Sequence, residues 1–375
     1  MDNKYSFSEY RDRFNKLLDD PAAYMPANNR DELKYKERWE EERKLIIRNG
    51  YESSFIIPRM IIDYAIDHRW FAYCGMQTAY SLVAYEYELS LVDPVEKNLD
   101  PMWLYGFHKD RTPFMTVNVS KDHVSELSAF VKNSFPTESL SIQEEDDETI
   151  IEVTEEDGRT ISVVIFCDAL SAEAEQLWAE VDVPYSRLRS LLRDNSSVKT
   201  EIDSEKLRLL LKQFIELEFA DEEAGKLQEG DLKRIVNSDF IDEDRLAHHI
   251  AMCENRLFSV LADLETEDMP LFAQLLLHFP YCRDELYEVL TDYYEINPED
   301  AYYLTEDIRK GKGTTLPFNQ AMEKFGIDEL YQELLRRITW LKSKGQCFQK
   351  ARILLLLSRK NEDLGDIDDY YEKSS

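Results

Sequence analysis

YGFHKDRTPFMTVNVS, residues Tyr105–Ser120, is the stretch around which the rest of the chain is read. It has the form of a short β-strand entered through a proline, Pro113, which suits a strand's first residues better than its interior. Downstream, Ser120 is placed to cap a helix through Val124, Leu127, Phe130 and Val131. A polar, acidic connector over 136–148 follows and ends in Glu144–Glu148 (EEDDE). Two strand-like runs, Thr149–Thr154 and Thr160–Cys167, are joined by EEDGR, whose Asp157-Gly158 is a hairpin signal. Strand, helix, strand, strand, helix makes a compact α+β unit.

Upstream, residues 6–18 predict a helix with Phe7, Tyr10, Phe14, Leu17 and Leu18 on one side and Ser6 or Ser8 as cap. A second, highly charged helix runs over 31–48, with Leu33, Trp39, Leu45 and Ile46 as its buried side, and Asn49-Gly50 ends it as a left-handed cap. A mostly apolar helix spans 53–68, where Asp67-His68 suits a terminus at which histidine offsets the dipole. The run from Trp70 to Val92 holds a short strand, a turn at Gly75 and another helix. From Ser171 onward the chain reads helical: Ser204 caps LRLLLKQFIELEF, and further helices lie at 242–263, 269–278, 282–293, 298–310, 317–325 and 327–358. No regular period links them, which argues against a solenoid. Asp363–Ser375 is an acidic tail.

The chain has 375 residues, 43% hydrophobic and 12% aromatic, enough for a substantial core in two or three subdomains. Its formal net charge of −31 favours solubility and weakens any default case for nucleic-acid binding, which needs local positive potential. The five cysteines (Cys74, Cys167, Cys253, Cys282, Cys347) never form CxxC, as expected of reduced cytoplasmic thiols rather than a zinc knuckle or disulfide framework. The opening MDNKYSFSEYRDRF lacks the apolar core of a signal peptide, and the longest apolar run, Ile353–Leu357, is too short to span a bilayer. The expectation is a cytoplasmic protein.

Three collinear blocks resemble the PolC-type α subunit of bacterial DNA polymerase III. In the first, KERWEEERKLIIRNGYESSFIIPRMI resembles a charged helix ending in an NGY turn before an apolar helix. AYCGMQTAYSLVAYEYELSLVDP then stands where the family has its Gly/Ser/Arg loop, with Ser81, Val83, Ala84, Val92 and Pro94 fitting. GFHKDRTPFMTVNVS matches the strand with a PDIDLN core through Gly106, Phe107, Asp110, Pro113, Asn118 and Ser120. The second block, Thr149–Asp168, aligns with the later palm hairpin. The third, Cys282–Gly313, keeps a CRD start and an RKGKG ending, and Ile338–Ser358 parallels the next helical segment, with Lys344 at the lysine of a PKAHA-like motif.

The resemblance implies template-directed phosphoryl transfer by carboxylates holding two magnesium ions. It puts the paired aspartates at Phe114 and Thr116 and the third at Val164, none of which can ligate Mg²⁺ as a carboxylate. Asp110, Glu152 and Asp168 are near in sequence, but a one-residue shift along a strand turns a side chain to the other face. The phosphate-cradling loop is altered to Tyr73, Cys74, Gly75, Met76 and Gln77. The family's cysteine-rich zinc insertion is missing, with Val95–Tyr105 in its place, and the thumb equivalent is cut to 120–148.

One basic concentration stands out in the acidic chain: Arg309, Lys310 and Lys312, then Arg336, Arg337, Lys342, Lys344, Lys350 and Arg352. It reads either as a retained phosphate- or nucleic-acid-contacting face, with Arg309, Lys310, Lys312 and Lys344 as candidates, or as a solvated helix face balancing the acid. His248-His249 read as a satisfied or exposed pair rather than metal ligands, because adjacent helical side chains diverge. Glu144–Glu148 reads as a solvated acidic loop. No nucleophile elbow or triad spacing occurs, and most aromatics lie at core spacing.

The expected fold is α+β: a helical segment over 1–35, a small nucleotidyltransferase-like palm sheet with helices over 36–170, an all-helical fingers-like domain over 171–360 and an acidic tail over 361–375. The expected function is that of a catalytically inactive polymerase relative acting as an interaction or accessory protein, with no metal, no cofactor, no membrane and an unidentified protein partner. The alternatives are a nucleic-acid-binding module using the basic face, or an enzyme with a metal site rebuilt from Asp110, Glu152 or Asp168.

Overall fold

The computed structural model describes residues 5–20, 32–135, 139–144, 148–155, 158–181, 183–193, 203, 205–207, 209–210, 243–255, 257, 260, 278–312, 316–338 and 341–359. Ser204, the stretches 211–242 and 261–277, and the tail 361–375, all assigned above, lie outside them. The chain divides into two compact units, 1–203 with 352–375, and 204–351.

The first unit begins with α1 (Phe7–Asp19), whose Tyr10, Phe14, Leu17 and Leu18 are buried at helical spacing. Phe14 stacks on Phe55 at 5.4 Å and meets the edge of Tyr87 at 4.7 Å, and burying it contributes on the order of 2–3 kcal/mol. Next, α2 (Glu32–Asn49) buries Tyr35, Trp39, Glu42 and Ile46, a stripe of period 3.6. Leu33, expected on that stripe, is instead 64% exposed. It lies two residues before Tyr35, about 200° away around the helix. Gly50 ends α2 at φ +63° as predicted, and Arg159 Nη1 donates to Asn49 O at 2.7 Å and to Gly50 O. A Cβ at Gly50 would fall on that guanidinium.

Helix α3 (Glu52–Asp67) is apolar nearly all round, with Phe55, Ile56, Ile57, Met60, Ile61, Ile62 and Ala65 buried. It packs on one face of the sheet with α1 on its other side. His68 follows it as expected of a C-terminal residue: its ring Nδ1 lies 2.7 Å from Tyr64 O.

The sheet has five strands: β1 (Tyr73–Cys74), β2 (Met115–Val119), β3 (Leu140–Glu144), β4 (Glu148–Thr154) and β5 (Thr160–Cys167), in the order β1-β2-β5-β4-β3. Strands β2 and β5 run parallel and all other neighbours antiparallel. Parallel neighbours need a crossover, and α6 (Val124–Ser134) with the β3–β4 hairpin supplies it. Between β1 and β2 lie a 3₁₀ turn (Met76–Tyr80) and the short helices α4 (Leu82–Glu86) and α5 (Met102–Tyr105); after the sheet come α7 (Ala169–Val181) and α8 (Tyr185–Arg193).

Three local expectations are corrected. The opening stretch is a strand only from Met115; Tyr105 closes α5. Ser120 does not cap α6: it opens a 3₁₀ turn, Lys121–His123, without a side-chain cap bond, and its carbonyl accepts from His123 N. The 136–148 connector contains β3, whose alternating LSIQE pairs with β4 as an edge strand. Polar alternation on an edge strand has the composition of a loop, so the sequence alone reads as a connector here.

The second unit is helical in its described part. It contains α9 (Glu243–Glu254), α10 (Arg283–Glu288, continuing as a π-helical turn over Val289–Tyr293), α11 (Pro298–Arg309), α12 (Leu316–Lys324) and α13 (Glu329–Arg337). Asn297 and Asp328 cap α11 and α13 by accepting from Asp300 N and Tyr331 N. Leu286, Leu290, Leu304, Ile308, Met322, Leu334 and Ile338 form the core. The single helix expected over 327–358 is two, α13 and α14 (Lys344–Leu357). The break is held from outside: Lys342 N donates to Asn255 Oδ1 at 2.7 Å, its carbonyl accepts from Arg283 N, and Lys344 N donates to Asp284 Oδ2 at 2.9 Å. Residues 352–357 of α14 belong to the first unit.

Among the described residues no helix is long and apolar enough to cross a membrane.

Candidate functional site

Strands β2 and β5 lie side by side with Thr116 opposite Val164. The two positions that separate parts of the resemblance assign to metal-ligating aspartates are therefore direct neighbours. Strand alternation puts Tyr73, Thr116, Asn118, Val164, Phe166 and Ile150 on one face, and Met115, Val117, Val119, Val163 and Ile165 on the face covered by α3. Thr116 and Val164 are 4% and 5% exposed. Phe114 immediately precedes β2 and is half-buried.

Thr116 lies beside the residue that follows β1, where the β1–β2 ladder continues. Gly75 N donates to Thr116 O at 3.0 Å. A Cβ on Gly75 would stand 2.8 Å from the Asn118 amide atoms and 2.9 Å from Thr116 Oγ1. Glycine is needed here for close approach, since its φ of −92° is ordinary. Thr116 Oγ1 and Gln77 Oε1 are both buried without a hydrogen-bond partner among the described residues. On this face the Asn118 and Thr116 side chains take up the space that a side chain at position 75 would need, while Phe166 is 40% exposed.

The amide groups beyond that loop are committed to internal acceptors. Glu42 is fully buried, and its carboxylate accepts from Ser81 Oγ (2.5 Å), Leu82 N (2.9 Å), Tyr105 Oη (3.2 Å) and Arg38 Nε (2.5 Å). Ser81 Oγ in turn accepts from Ala84 N at 3.0 Å. Arg38 Nη2 donates to the carbonyls of Tyr80 and Leu99 at 2.6 and 3.1 Å. A helix start leaves amides that can cradle a phosphate, and at the start of α4 the buried Glu42 carboxylate and Ser81 Oγ take those amides instead. Sequence reading passed over Glu42, because a glutamate inside a charged helix gives no sign of burial.

The carboxylates proposed for a rebuilt metal site are dispersed. Asp110 is exposed before β2. Glu152 shares the face of Thr116 but stands on β4 opposite Ser162. Asp168 is buried past the end of β5, where its Oδ2 accepts from Tyr73 Oη at 2.8 Å and Ser171 Oγ at 3.2 Å. Among the described residues no three His, Cys, Asp or Glu side chains are grouped as a metal site requires. In the second unit His249 is buried, and burial, with His248 adding to it, depresses its pKa to about 4. His248 lies against Tyr281 at 3.8 Å between ring centres. Of the acidic run, Glu144 ends β3 with Lys132 Nζ 3.1 Å away.

The basic residues of the second unit stand beside acids. Arg309 makes a two-pronged contact with Glu306 (2.8 and 3.0 Å), Lys310 lies 3.7 Å from the same carboxylate, and Lys312 is 3.3 Å from Asp307. Arg336 and Arg337 both reach Glu333. Lys350 is buried against Glu254, while Arg352, in the first unit, donates to Leu91 O. Lys344 carries its charge near Glu285 and Glu288, and its backbone amide is held by Asp284. The CRD stretch is an internal junction: Cys282, Arg283 and Asp284 are all buried, and Arg283 Nη1 lies 3.8 Å from Glu306.

Beside that junction, burial raises the Glu285 pKa to about 7 against the opposing effects of Tyr281 and Lys344. An acid whose pKa is raised by folding stabilises fully below its unfolded value and loses that contribution as pH rises through about 7. Glu285→Gln is therefore expected to be neutral near pH 4 and to stabilise by roughly 1–2 kcal/mol above about pH 8, after discounting for partial exposure. Urea unfolding at the two pH values measures it; a constant difference at both would reject the assignment.

Residues 9–155 match the family model described as Bacterial DNA polymerase III alpha NTPase domain. This stretch is DNA polymerase III α-like. It includes the Glu42 helix, the Gly75 loop, β2 and β4, and stops short of β5 and the whole second unit. It covers less than half of the chain. A search of curated proteins finds no match.

Proposed function

We propose that the chain is a catalytically inactive relative of the PolC-type DNA polymerase III α subunit, built on its palm and fingers plan, that acts as an interaction or accessory protein. The observation that carries this reading is the buried pair Thr116 and Val164: hydroxyl and apolar side chains stand in place of carboxylates on adjacent strands. Two-metal phosphoryl transfer needs at least a pair of carboxylates open to solvent-borne metal and nucleotide. Recovering activity would require replacing three side chains, two of them buried. The strongly acidic chain favours a partner with a basic surface.

The test is a pull-down with the full chain at low and high salt, run beside isothermal titration with Mg²⁺ and Mn²⁺ and a primer-extension assay. A specific protein partner retained at low salt, with no metal binding and no extension, is the expected result. Primer extension by the wild-type chain, or failure of any protein to co-purify at low salt, would overturn the reading.

A nucleic-acid-binding role for the Arg309, Lys310, Lys312 and Lys344 face is the second reading. Lys310 and Lys312, about half exposed beside Gly311, are its best support. Their neighbouring acids, Glu306 and Asp307, weaken it. Filter binding with single- and double-stranded DNA decides it: salt-sensitive binding lost on charge reversal at Lys310 and Lys312 supports it, and binding indifferent to both removes it.

A further inference from the structure

Away from the Thr116 face, the first unit encloses a group of arginines. Arg59 from α3 and Arg189 from α8 are 8% and 5% exposed, and both meet one carboxylate, that of Glu88. Arg59 Nη1 is 2.7 Å from Glu88 Oε2, and Arg59 Nη2 is 2.7 Å from Asp63 Oδ1. Glu88 Oε1 stands 3.9 Å from Arg189 Nε, beyond hydrogen-bonding distance. Arg193, one helical turn after Arg189, lies 3.8 Å over the Tyr85 ring with its Nη2 3.8 Å from Glu86.

The donors of this group are incompletely used. Arg189 Nε and Nη2, and Arg59 Nε, are buried with no hydrogen-bond partner among the described residues. A guanidinium is a rigid fork of donors suited to oxygens in a plane or a tetrahedron, and a buried fork without acceptors is strongly disfavoured. Arg59 has Asp63 and two backbone carbonyls besides Glu88, so the shortfall falls mainly on Arg189, whose Nε and Nη2 the Glu88 oxygens do not reach. Glu88 also differs from its partners: its side chain is 44% exposed and its backbone sits at φ +63°, left-handed for a residue with a side chain. Burial would raise its pKa, but Arg189, then Arg59 and Arg193, outweigh that and hold it at about 2, so it is an anion throughout the physiological range.

We propose that Arg59, Arg189 and Arg193 form a binding site for a phosphate-bearing small molecule, and that the Glu88 carboxylate occupies it as an internal stand-in for that anion. A phosphate group offers three or more acceptor oxygens, enough to satisfy the Arg189 fork that Glu88 leaves unfilled. Being half exposed, Glu88 can swing to solvent as the ligand enters, while Arg59 stays fixed by Asp63 and by the carbonyls of Tyr87 and Glu88.

Isothermal titration of the full chain with inorganic phosphate and with a nucleoside monophosphate, against chloride at matched ionic strength, tests it. Saturable phosphate binding is expected in the wild type. Glu88→Gln removes the competing charge and is expected to tighten binding at least about tenfold. Adding Arg189→Gln to that variant should abolish it. Arg189→Lys, which keeps the charge and loses the fork, should weaken it by about tenfold and remains informative where the glutamine variant does not fold. Equal binding of both ligands assigns the free anion and a gain with the nucleotide assigns a phosphomonoester; either supports the site. Absence of saturable binding in both wild type and Glu88→Gln, binding unchanged by Arg189→Lys, or the same heat with chloride would overturn it.

Discussion

Replacing Glu42 with alanine is expected to lower the unfolding free energy by about 3–5 kcal/mol, the range for breaking a buried charged network from one side. The change leaves the Arg38 guanidinium, the Ser81 hydroxyl, the Tyr105 phenol and the Leu82 amide without their common acceptor. Each was desolvated on the assumption of that carboxylate, and a buried donor left unmet costs about 1–3 kcal/mol before relaxation. Glu42→Gln keeps the shape but turns an amide NH₂ toward a set of donors, so it should recover only part of the loss. Urea denaturation of the three proteins orders them. A loss below about 1 kcal/mol for Glu42→Ala would mean that water enters and replaces the carboxylate. A second measurement checks the anchoring: if Glu42 holds the connection between β1 and α4, limited proteolysis of the alanine variant should cut first between Gly75 and Ser81.

Lys350→Met is the second large effect, about 3–5 kcal/mol destabilising. The Lys350 and Glu254 side chains are 5% and 0% exposed and in direct contact, with Cys347 Sγ 3.8 Å from the same carboxylate. Removing the lysine strands a charge in a dry interior, where it must stay ionised unpaired or take up a proton. The double variant Lys350→Met, Glu254→Met replaces the pair with apolar volume and should be less destabilised than the single lysine variant. A double variant at least as unstable as the single one would show that the ion pair itself, and not the stranded charge, carries the stability. The cycle also reports on Lys350 as one of the chain's basic residues: it is an internal counter-ion here, not part of a surface.

The sheet's inner strands were legible because their side chains alternate and their turns carry unmistakable residues. Pro113 before β2 and Asp157-Gly158 between β4 and β5 mark the boundaries, and Gly50 marks the end of α2 by a left-handed backbone that only tertiary neighbours make indispensable. β3 escaped because an edge strand of a half-wet sheet has the polarity of a loop. The break before α14 carries only one local sign, Ser343, whose Oγ accepts from Gln346 N; the rest is held by Asn255, Asp284 and Arg283, distant in sequence, which bind the backbone of Lys342 and Lys344.

The candidate site divides in the same way. That Phe114, Thr116 and Val164 are not carboxylates is a property of the chain as written, since side-chain chemistry does not depend on folding. The β-branched residues of β2 and β5 likewise carry their own preference for extended backbone. What only the tertiary structure decided is adjacency and access. Parallel register brings Val164 beside Thr116, 48 positions earlier in the sequence, and Gly75 fits next to Thr116 because a residue without a Cβ can lie against the Asn118 side chain. Glu42 and Glu88 are the same amino acid, one sealed among donors and one half-exposed among arginines, and no local pattern distinguishes them. Charge in a sequence is a fixed inventory, but its energy depends on desolvation and on partners brought near by folding, so their different roles exist only in three dimensions.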